Sequence, residues 1–244
     1  MAANAKAPVE IQRQYYADTA TRYEQMHADE ADPFSLQFFY SILRLVDAQS
    51  VLDVGTATGR NLRNFKQALP HLSVCGVEPV RGLIDQAIQQ GHADCGPIIQ
   101  ASGEALPFAD ASFDVVCEFA VLHHVPNPAR VVQEMLRVAR KAVFICDSNR
   151  FGQGSLPMRF LKLALYKAGL WGICNYIKTR GKGYQITEGD GLAYSYSVYD
   201  SLDQISRWAD RVILVPAGAG KANSWFHPLL TTIGVTVCAL RDSK

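Results

Sequence analysis

The feature that most narrows what this chain can fold into is the stretch Val51-Leu52-Asp53-Val54-Gly55-Thr56-Ala57-Thr58-Gly59-Arg60, where an apolar run ends in an acid and passes at once into a turn of small residues. A short apolar run suits a parallel strand buried on both faces, with its last side chain emerging at the carboxyl edge of a sheet. Gly55 and Gly59 tolerate positive φ and leave no Cβ in the way of a ligand, and a helix starting near Arg60 offers unpaired N–H groups. In outline this is a crevice for a nucleoside-containing cofactor.

The rest of the chain repeats the strand-to-helix alternation. Strands are expected at Val51, Val74, Pro97, Phe113 and Ala142, with helices from Arg60, Val80 and Ala129, and closing strands at Val212 to Val215 and Val235 to Leu240. Such alternation predicts an α/β fold with right-handed crossovers, a doubly wound, mostly parallel seven-stranded sheet. Ahead of it, an aromatic-rich helical lead runs from Val9 to about Val46, broken near Pro33.

The turn itself argues against a dinucleotide. That fingerprint needs G-x-G-x-x-G to set backbone amides on a pyrophosphate, whereas this turn reads G-x-x-x-G, with Ala57 where a middle glycine would sit. A second acid, Glu78, ends the strand Leu72 to Val77, 25 residues after Asp53. A carboxylate there can accept both ribose hydroxyls; the plainer alternative is a surface acid opening the helix after Pro79. Next come Ala101-Ser102-Gly103-Glu104-Ala105-Leu106-Pro107-Phe108, Ser112-Phe113-Asp114-Val115-Val116 and Val121-Leu122-His123-His124-Val125-Pro126.

In this order and spacing the segments resemble the class I S-adenosylmethionine-dependent methyltransferases of the type 11 group, from about Val51 to Asn149. The resemblance implies S-adenosyl-L-methionine as cofactor, held at its methionine end by Asp53, Gly55, Thr56, Ala57 and Gly59. It further implies the ribose on Glu78 beside Pro79, the adenine on Ser102, Gly103 and Glu104, and the sulfonium side on Glu118 and Phe119. Two positions depart from the family pattern. Ala57 replaces a glycine, and Ser102 replaces the usual aspartate, which leaves an acceptor without the charge that strengthens it.

On this reading residues 1–244 form a single methyltransferase domain: an N-terminal helical cap (1–48), a cofactor-binding core (49–149), an acceptor-side insertion or lid (150–200), and a C-terminal helix with closing strands (201–244). The expected activity is methyl transfer to a small-molecule or lipid-like acceptor. The alternatives are a nicotinamide-dependent oxidoreductase, disfavoured by the glycine pattern, and a non-catalytic cofactor-binding regulatory subunit, which the departures at Ala57 and Ser102 make conceivable.

Composition bounds the remaining classes. A net charge of +1 over 244 residues lacks the basic excess of a general nucleic-acid binder, so no nucleic-acid partner is expected. Met1 to Lys6 shows no apolar core followed by a cleavage site, so a cytoplasmic location is the default expectation. Six cysteines without close pairing read as reduced core thiols. Ala222 to Leu240 is uncharged and long enough to span a bilayer, but its β-branched second half reads as a closing strand.

Candidates on the acceptor side are less sharply defined. His123 and His124 follow the fourth strand and are the candidate catalytic bases; the competing reading is a pair satisfied by backbone. As neighbours in a strand-like segment they would point to opposite sides, and with no third ligand at a recognisable spacing, no metal is expected. Tyr16 and Tyr23, seven apart, would share a helical face closing the pocket, or dock on the sheet edge. Tyr184, Tyr194 and Tyr196 lie in a glycine-dense stretch and either line an acceptor pocket or pack as edge-strand residues. Between Arg150 and Thr187 seven basic residues and no acid are interleaved with apolar ones. Such a pattern fits an ordinary lid helix with a solvated face, or peripheral membrane contact through 156–182.

Overall fold

A computed structural model describes residues 7–27, 33–187, 189–218 and 224–242. Its strands are β1 (Ser50–Val54), β2 (Ser73–Val77), β3 (Ile98–Ile99), β4 (Phe113–Phe119), β5 (Ala139–Ser148), β6 (Tyr184–Thr187), β7 (Gly191–Tyr194), β8 (Arg211–Ala217) and β9 (Gly234–Leu240). Its helices are α1 (Pro8–Thr19), α2 (Tyr23–Met26), α3 (Pro33–Leu45), α4 (Arg60–Ala68), α5 (Arg81–Gln89), α6 (Pro128–Val138), α7 (Leu156–Lys167), α8 (Trp171–Lys178) and α9 (Leu202–Trp208).

Seven strands form one sheet in the order β3-β2-β1-β4-β5-β9-β8. The first five run parallel, and β9 and β8 close the edge antiparallel. The chain winds outward from β1 through β2 to β3, then returns to lay β4 against the other side of β1. Strand order therefore reverses between β1 and β4, and the crevice beyond their carboxyl ends is where a ligand is bound in such sheets. Asp53 pairs with Gly76 on one side and Cys117 on the other, which puts it at this switch point.

Both sheet faces are covered, which is why the strands are apolar almost throughout. On one face Leu52, Val116 and Ile145 pack against Val132 and Met135 of α6 and Ile205 of α9. On the other, Val51, Val115 and Phe144 meet Phe39 of α3 and Leu62 and Phe65 of α4. The rings of Phe39 and Phe144 lie 4.8 Å apart and those of Phe39 and Phe65 5.0 Å apart, and truncating one such buried ring to alanine costs about 3–5 kcal/mol. Helix α6 begins where Asn127 accepts from the Arg130 N–H and Pro128 takes the first turn.

The N-terminal lead is not one helix: a 3₁₀ turn, Ala20–Arg22, separates α1 from α2. All six cysteines are free, and burial pushes the Cys75 thiol up to about 11 and Cys238 up to about 12. Met1 to Lys6, Ala222 and Asn223 lie outside the described residues; the end of the long uncharged run is β9. Among the described residues no helix is long and apolar enough to cross a membrane.

The insertion leaves the sheet at Asn149 and rejoins it at Ser197, and those two residues form an antiparallel bridge. Ser197 Oγ donates to Asn149 Oδ1 (3.1 Å), while Asn149 Nδ2 donates to the carbonyls of Leu229 and Thr232 (2.7 and 2.9 Å). Between these ends α7, α8 and the β6–β7 hairpin follow one another, and neither helix buries a single residue. Arg150 holds them in place. Its buried guanidinium pairs with Asp200 and lies 5.1–5.5 Å from the rings of Phe151, Tyr166 and Trp171.

Candidate functional site

The turn after β1 is shaped by backbone conformation. Gly55 has φ 76°, and a Cβ there would come within 2.5 Å of Val121 Cγ2, so no other residue fits without displacing the segment after β4. Gly59, φ 73°, caps α4 and packs against Ile98 and His92, so it shapes the turn without lining the crevice. Ala57 also sits in the left-handed region, at φ 51°, a conformation that costs an L-residue about 1–2 kcal/mol. The departure from glycine is thus accommodated by strain, with the loop still in place: the Ala57 N–H donates to Glu78 Oε2 at 3.1 Å.

Two adjoining cavities open here. One, of about 140 Å³, is lined by Glu78, Pro79, Ser102, Gly103, Glu104 and Phe119, with Gly55 and Ala57 at its inner end. The other, of about 150 Å³, is lined by Thr56, Asn61, Tyr16, Tyr23, Phe119 and His124. Burial pushes the Asp53 carboxyl up to about 6 and that of Glu78 up to about 7. Asp53 Oδ2 and Thr56 Oγ1 are buried with no hydrogen-bond partner, and buried polar atoms seldom stay unpaired. An orphaned Thr56 hydroxyl in the crevice wall, and a carboxylate at the end of β2 that shares a cavity with Ser102 and Glu104, fit S-adenosylmethionine.

Glu118, like Asp53, stands behind the crevice wall with one buried carboxylate oxygen unpartnered. Successive strand residues face opposite ways; Phe119 reaches both cavities, while Glu118 is fully buried, accepts from the Val121 N–H (2.9 Å) and lines neither cavity. Burial and the neighbouring Asp147 hold its carboxyl well above the usual range.

The histidine pair corrects the expectation of a strand-like segment. Leu122–His124 is a 3₁₀ turn, not a strand, so the two rings lie side by side with centroids 4.0 Å apart. Each is fixed through Nδ1: that of His123 meets Asp147 Oδ1 (2.7 Å), and that of His124 lies 2.8 Å from the Leu192 carbonyl and 3.1 Å from Gln12 Nε2. Both Nε2 atoms then face Asp190 from the β6–β7 turn, at 3.7 Å for His123 and 3.1 Å for His124, and the Tyr16 hydroxyl lies 3.1 Å from His124 Nε2. Burial opposes a charge on His123, but Asp147 and Asp190 outweigh it and hold the imidazole well above its ordinary value. In turn the two histidines hold Asp190 far below the usual carboxylate range. The donor atoms of His123, His124 and Asp190 lie within 4.8 Å of one another, so a third potential metal ligand exists, supplied from far along the chain.

The tyrosines divide between the two sides of this cluster. Tyr16 and Tyr23 meet edge to face at 6.0 Å and line the crevice, although they stand on different helices. Tyr184 and Tyr194 pair across the hairpin with rings 6.1 Å apart, and with Tyr196, His123, Asn175 and Lys178 they line a third cavity of about 210 Å³. Tyr196 itself is buried, its hydroxyl 2.8 Å from Ser201 Oγ. Asp190 borders both this cavity and the crevice.

Three participants escaped the sequence reading. Asp147 ends a strand in an acid, the same signal that marked Asp53 and Glu78. Asp190 and Gln12 carried no local signal: Gln12 reaches the hairpin from α1, accepting from the Leu192 N–H.

A methyltransferase domain family matches residues 52–146. An uncharacterised methyltransferase of Mycolicibacterium gilvum is 34% identical over 160 residues, 66% of this chain and 60% of that protein. Another, from Mycolicibacterium paratuberculosis, is 31% identical over 172 residues, 67% of each chain. Among solved structures, the magnesium protoporphyrin IX methyltransferase of Synechocystis, with bound S-adenosylhomocysteine, aligns over 97% of this chain and 100% of its own with a TM-score of 0.61 at 13% identity, a likeness of fold. The glycine turn, the acid at the end of β2 and these relatives converge on one conclusion, that the chain belongs to the class I S-adenosylmethionine-dependent methyltransferases.

Proposed function

We propose that the protein methylates a small-molecule or lipid-like acceptor whose reacting end enters the crevice beside Tyr16, Phe119 and His124 and whose remainder extends past Asp190 towards Tyr184 and Tyr194. The observation that carries this reading is Asp190, which the insertion hairpin sets against the histidine pair on the border between crevice and hairpin cavity. S-adenosylmethionine, when bound, supplies a methyl group already activated by its sulfonium, so the chain has to align, exclude water and take up at most one proton. Asp53 and Thr56 hold the methionine end, Glu78 accepts the ribose hydroxyls, and Ser102 with the Gly103 and Glu104 segment meets the adenine.

The two histidines then have different work. His124 sets its ring with Nδ1 between the Leu192 carbonyl and Gln12 Nε2 and turns Nε2 to the crevice, where Asp190 stabilises the imidazolium formed when it takes the acceptor's proton. His123, clamped between Asp147 and Asp190, is the fixed positive charge that orients Asp190. His123 pairs directly with Asp147 and Asp190, His124 pairs with Asp190 once it carries the acceptor's proton, and we assign no metal to them.

The test is acceptor-dependent formation of S-adenosylhomocysteine from a panel of hydroxyl- and amine-bearing small molecules and lipids, run with the parent protein, His124→Asn and Asp190→Asn. Loss of turnover in both variants at unchanged S-adenosylhomocysteine affinity is the expected result. Full activity in His124→Asn would remove the proton-accepting role, and activity abolished by a chelator and restored by a divalent cation would overturn the metal-free assignment.

A further inference from the structure

The insertion concentrates charge to a degree that the whole-chain value conceals. Residues 150–187 hold seven of the 24 Lys and Arg and none of the 23 Asp and Glu, which leaves 17 basic against 23 acidic residues for the remainder of the chain. A net charge of +1 is thus the sum of a strongly cationic segment and an anionic body.

The same segment exposes its apolar side chains. On α8, Ile173, Tyr176 and Ile177 stand at i, i+3 and i+4 and so share one face, and they are 61%, 63% and 70% exposed. Helix α7 leaves Phe160 and Leu161 about half exposed, and Phe160 meets Phe226 at 5.4 Å, next to the fully exposed Trp225. Around them Lys167, Arg180 and Lys182 are exposed and make no ion pair among the described residues.

From this juxtaposition of an unburied aromatic and aliphatic face with unpaired cations we infer that α7, α8 and the Trp225–Phe226 turn dock on an anionic lipid bilayer. Apolar side chains enter the headgroup boundary while the lysines and arginines meet lipid phosphates, as interfacial helices do. The charge pattern selects this occupant over a two-fold dimer formed through the same patch. A two-fold interface would set the same cationic patch against itself, and like charges repel. Docking in this orientation turns α8, whose Asn175 and Lys178 line the hairpin cavity, towards the bilayer.

Flotation with vesicles tests the inference without cofactor or acceptor, so its outcome is separate from that of the methyl-transfer reading. The chain is expected to float with phosphatidylcholine vesicles containing about 30 mol% phosphatidylglycerol and not with phosphatidylcholine alone, and to be released at about 0.5 M salt, where screening is short-ranged. Ile173→Glu/Ile177→Glu should reduce flotation at least about tenfold while S-adenosylhomocysteine affinity, unchanged, reports an intact fold. In a Trp171→Phe/Trp208→Phe background the emission of Trp225 should shift to the blue on adding anionic vesicles. No flotation on anionic vesicles, equal flotation of the double variant, or a dimer in light scattering that the double variant converts to monomer would each overturn it.

Discussion

In the crevice, the key carboxylates Asp53 and Glu78 rise from the ends of buried strands; in the insertion, two helices lie on the surface without a buried residue of their own. The first region is held by the sheet's hydrogen bonds and two apolar cores. The second depends on a few polar anchors: Arg150 with Asp200, Asn149 with Ser197, and Asp190 with the histidines. On the proposed function, cofactor recognition belongs to the sheet and acceptor selection to the insertion, since binding loops are drawn from the less densely held regions of a fold.

The harshest challenge to that division is Glu78→Ala. Removing this carboxylate is expected to weaken S-adenosylhomocysteine binding by about 2–4 kcal/mol and, because it also accepts the Ala57 and Val80 N–H groups, to lower the unfolding midpoint of a chain that still folds; calorimetry alongside thermal unfolding measures both. Next in size, Tyr184→Ala and Tyr194→Ala are each expected to reduce turnover at least about tenfold, roughly 1.4 kcal/mol of transition-state stabilisation, with cofactor affinity nearly unchanged. If affinity falls in parallel, the two regions are one site and the comparison fails.

A pH series sharpens it further. Burial places the Glu78 carboxyl at about 7, and ribose hydroxyls donate best to the ionised form. S-adenosylhomocysteine affinity should therefore rise between about pH 6 and about pH 8, and Glu78→Gln should flatten the rise. Stability of the ligand-free chain runs the other way. Asp53 and Glu78 keep protons in the folded state that the unfolded chain releases near 3.8 and 4.5, so their contribution falls as pH rises through about 4 to about 7. The smallest expected effect is from Ala57→Gly, which relieves the left-handed strain at φ 51° and should stabilise the fold by up to about 1 kcal/mol, offset in part by the freer unfolded chain. A lower unfolding midpoint would mean that the alanine methyl contributes packing that outweighs its strain.

The crevice was legible because its signals are local. An apolar run ending in an acid is both a strand and the position of a carboxylate, so Asp53 and Glu78 were readable together with β1 and β2. Asp147 carried the same signal at the end of β5 and could have been found by applying the rule a third time. The histidine pair misled because Leu122-His123-His124-Val125 has the composition of a strand, while the tight return from β4 towards α6 forces a 3₁₀ turn that brings both rings to one side. Asp190 and Gln12 were beyond reach for a different reason: each meets its partner only through chain closure over more than 60 residues, and no periodicity encodes that. Tyr196 shows the limit of composition, since a tyrosine in a polar, glycine-dense stretch turns inward to Ser201 and serves the core as well as the cavity.

The bridge between Asn149 and Ser197 reaches beyond this one chain. Because the two ends of the insertion touch, the length of the segment between them enters the folding free energy only logarithmically, about 0.6 kcal/mol for each doubling. Segments of quite different size can be suspended from the same pair of residues while β5 keeps its register, provided that Asp190 and Leu192, which reach back to the crevice histidines, are retained, which makes Asn149 and Ser197 the natural junctions for exchanging α7 and α8.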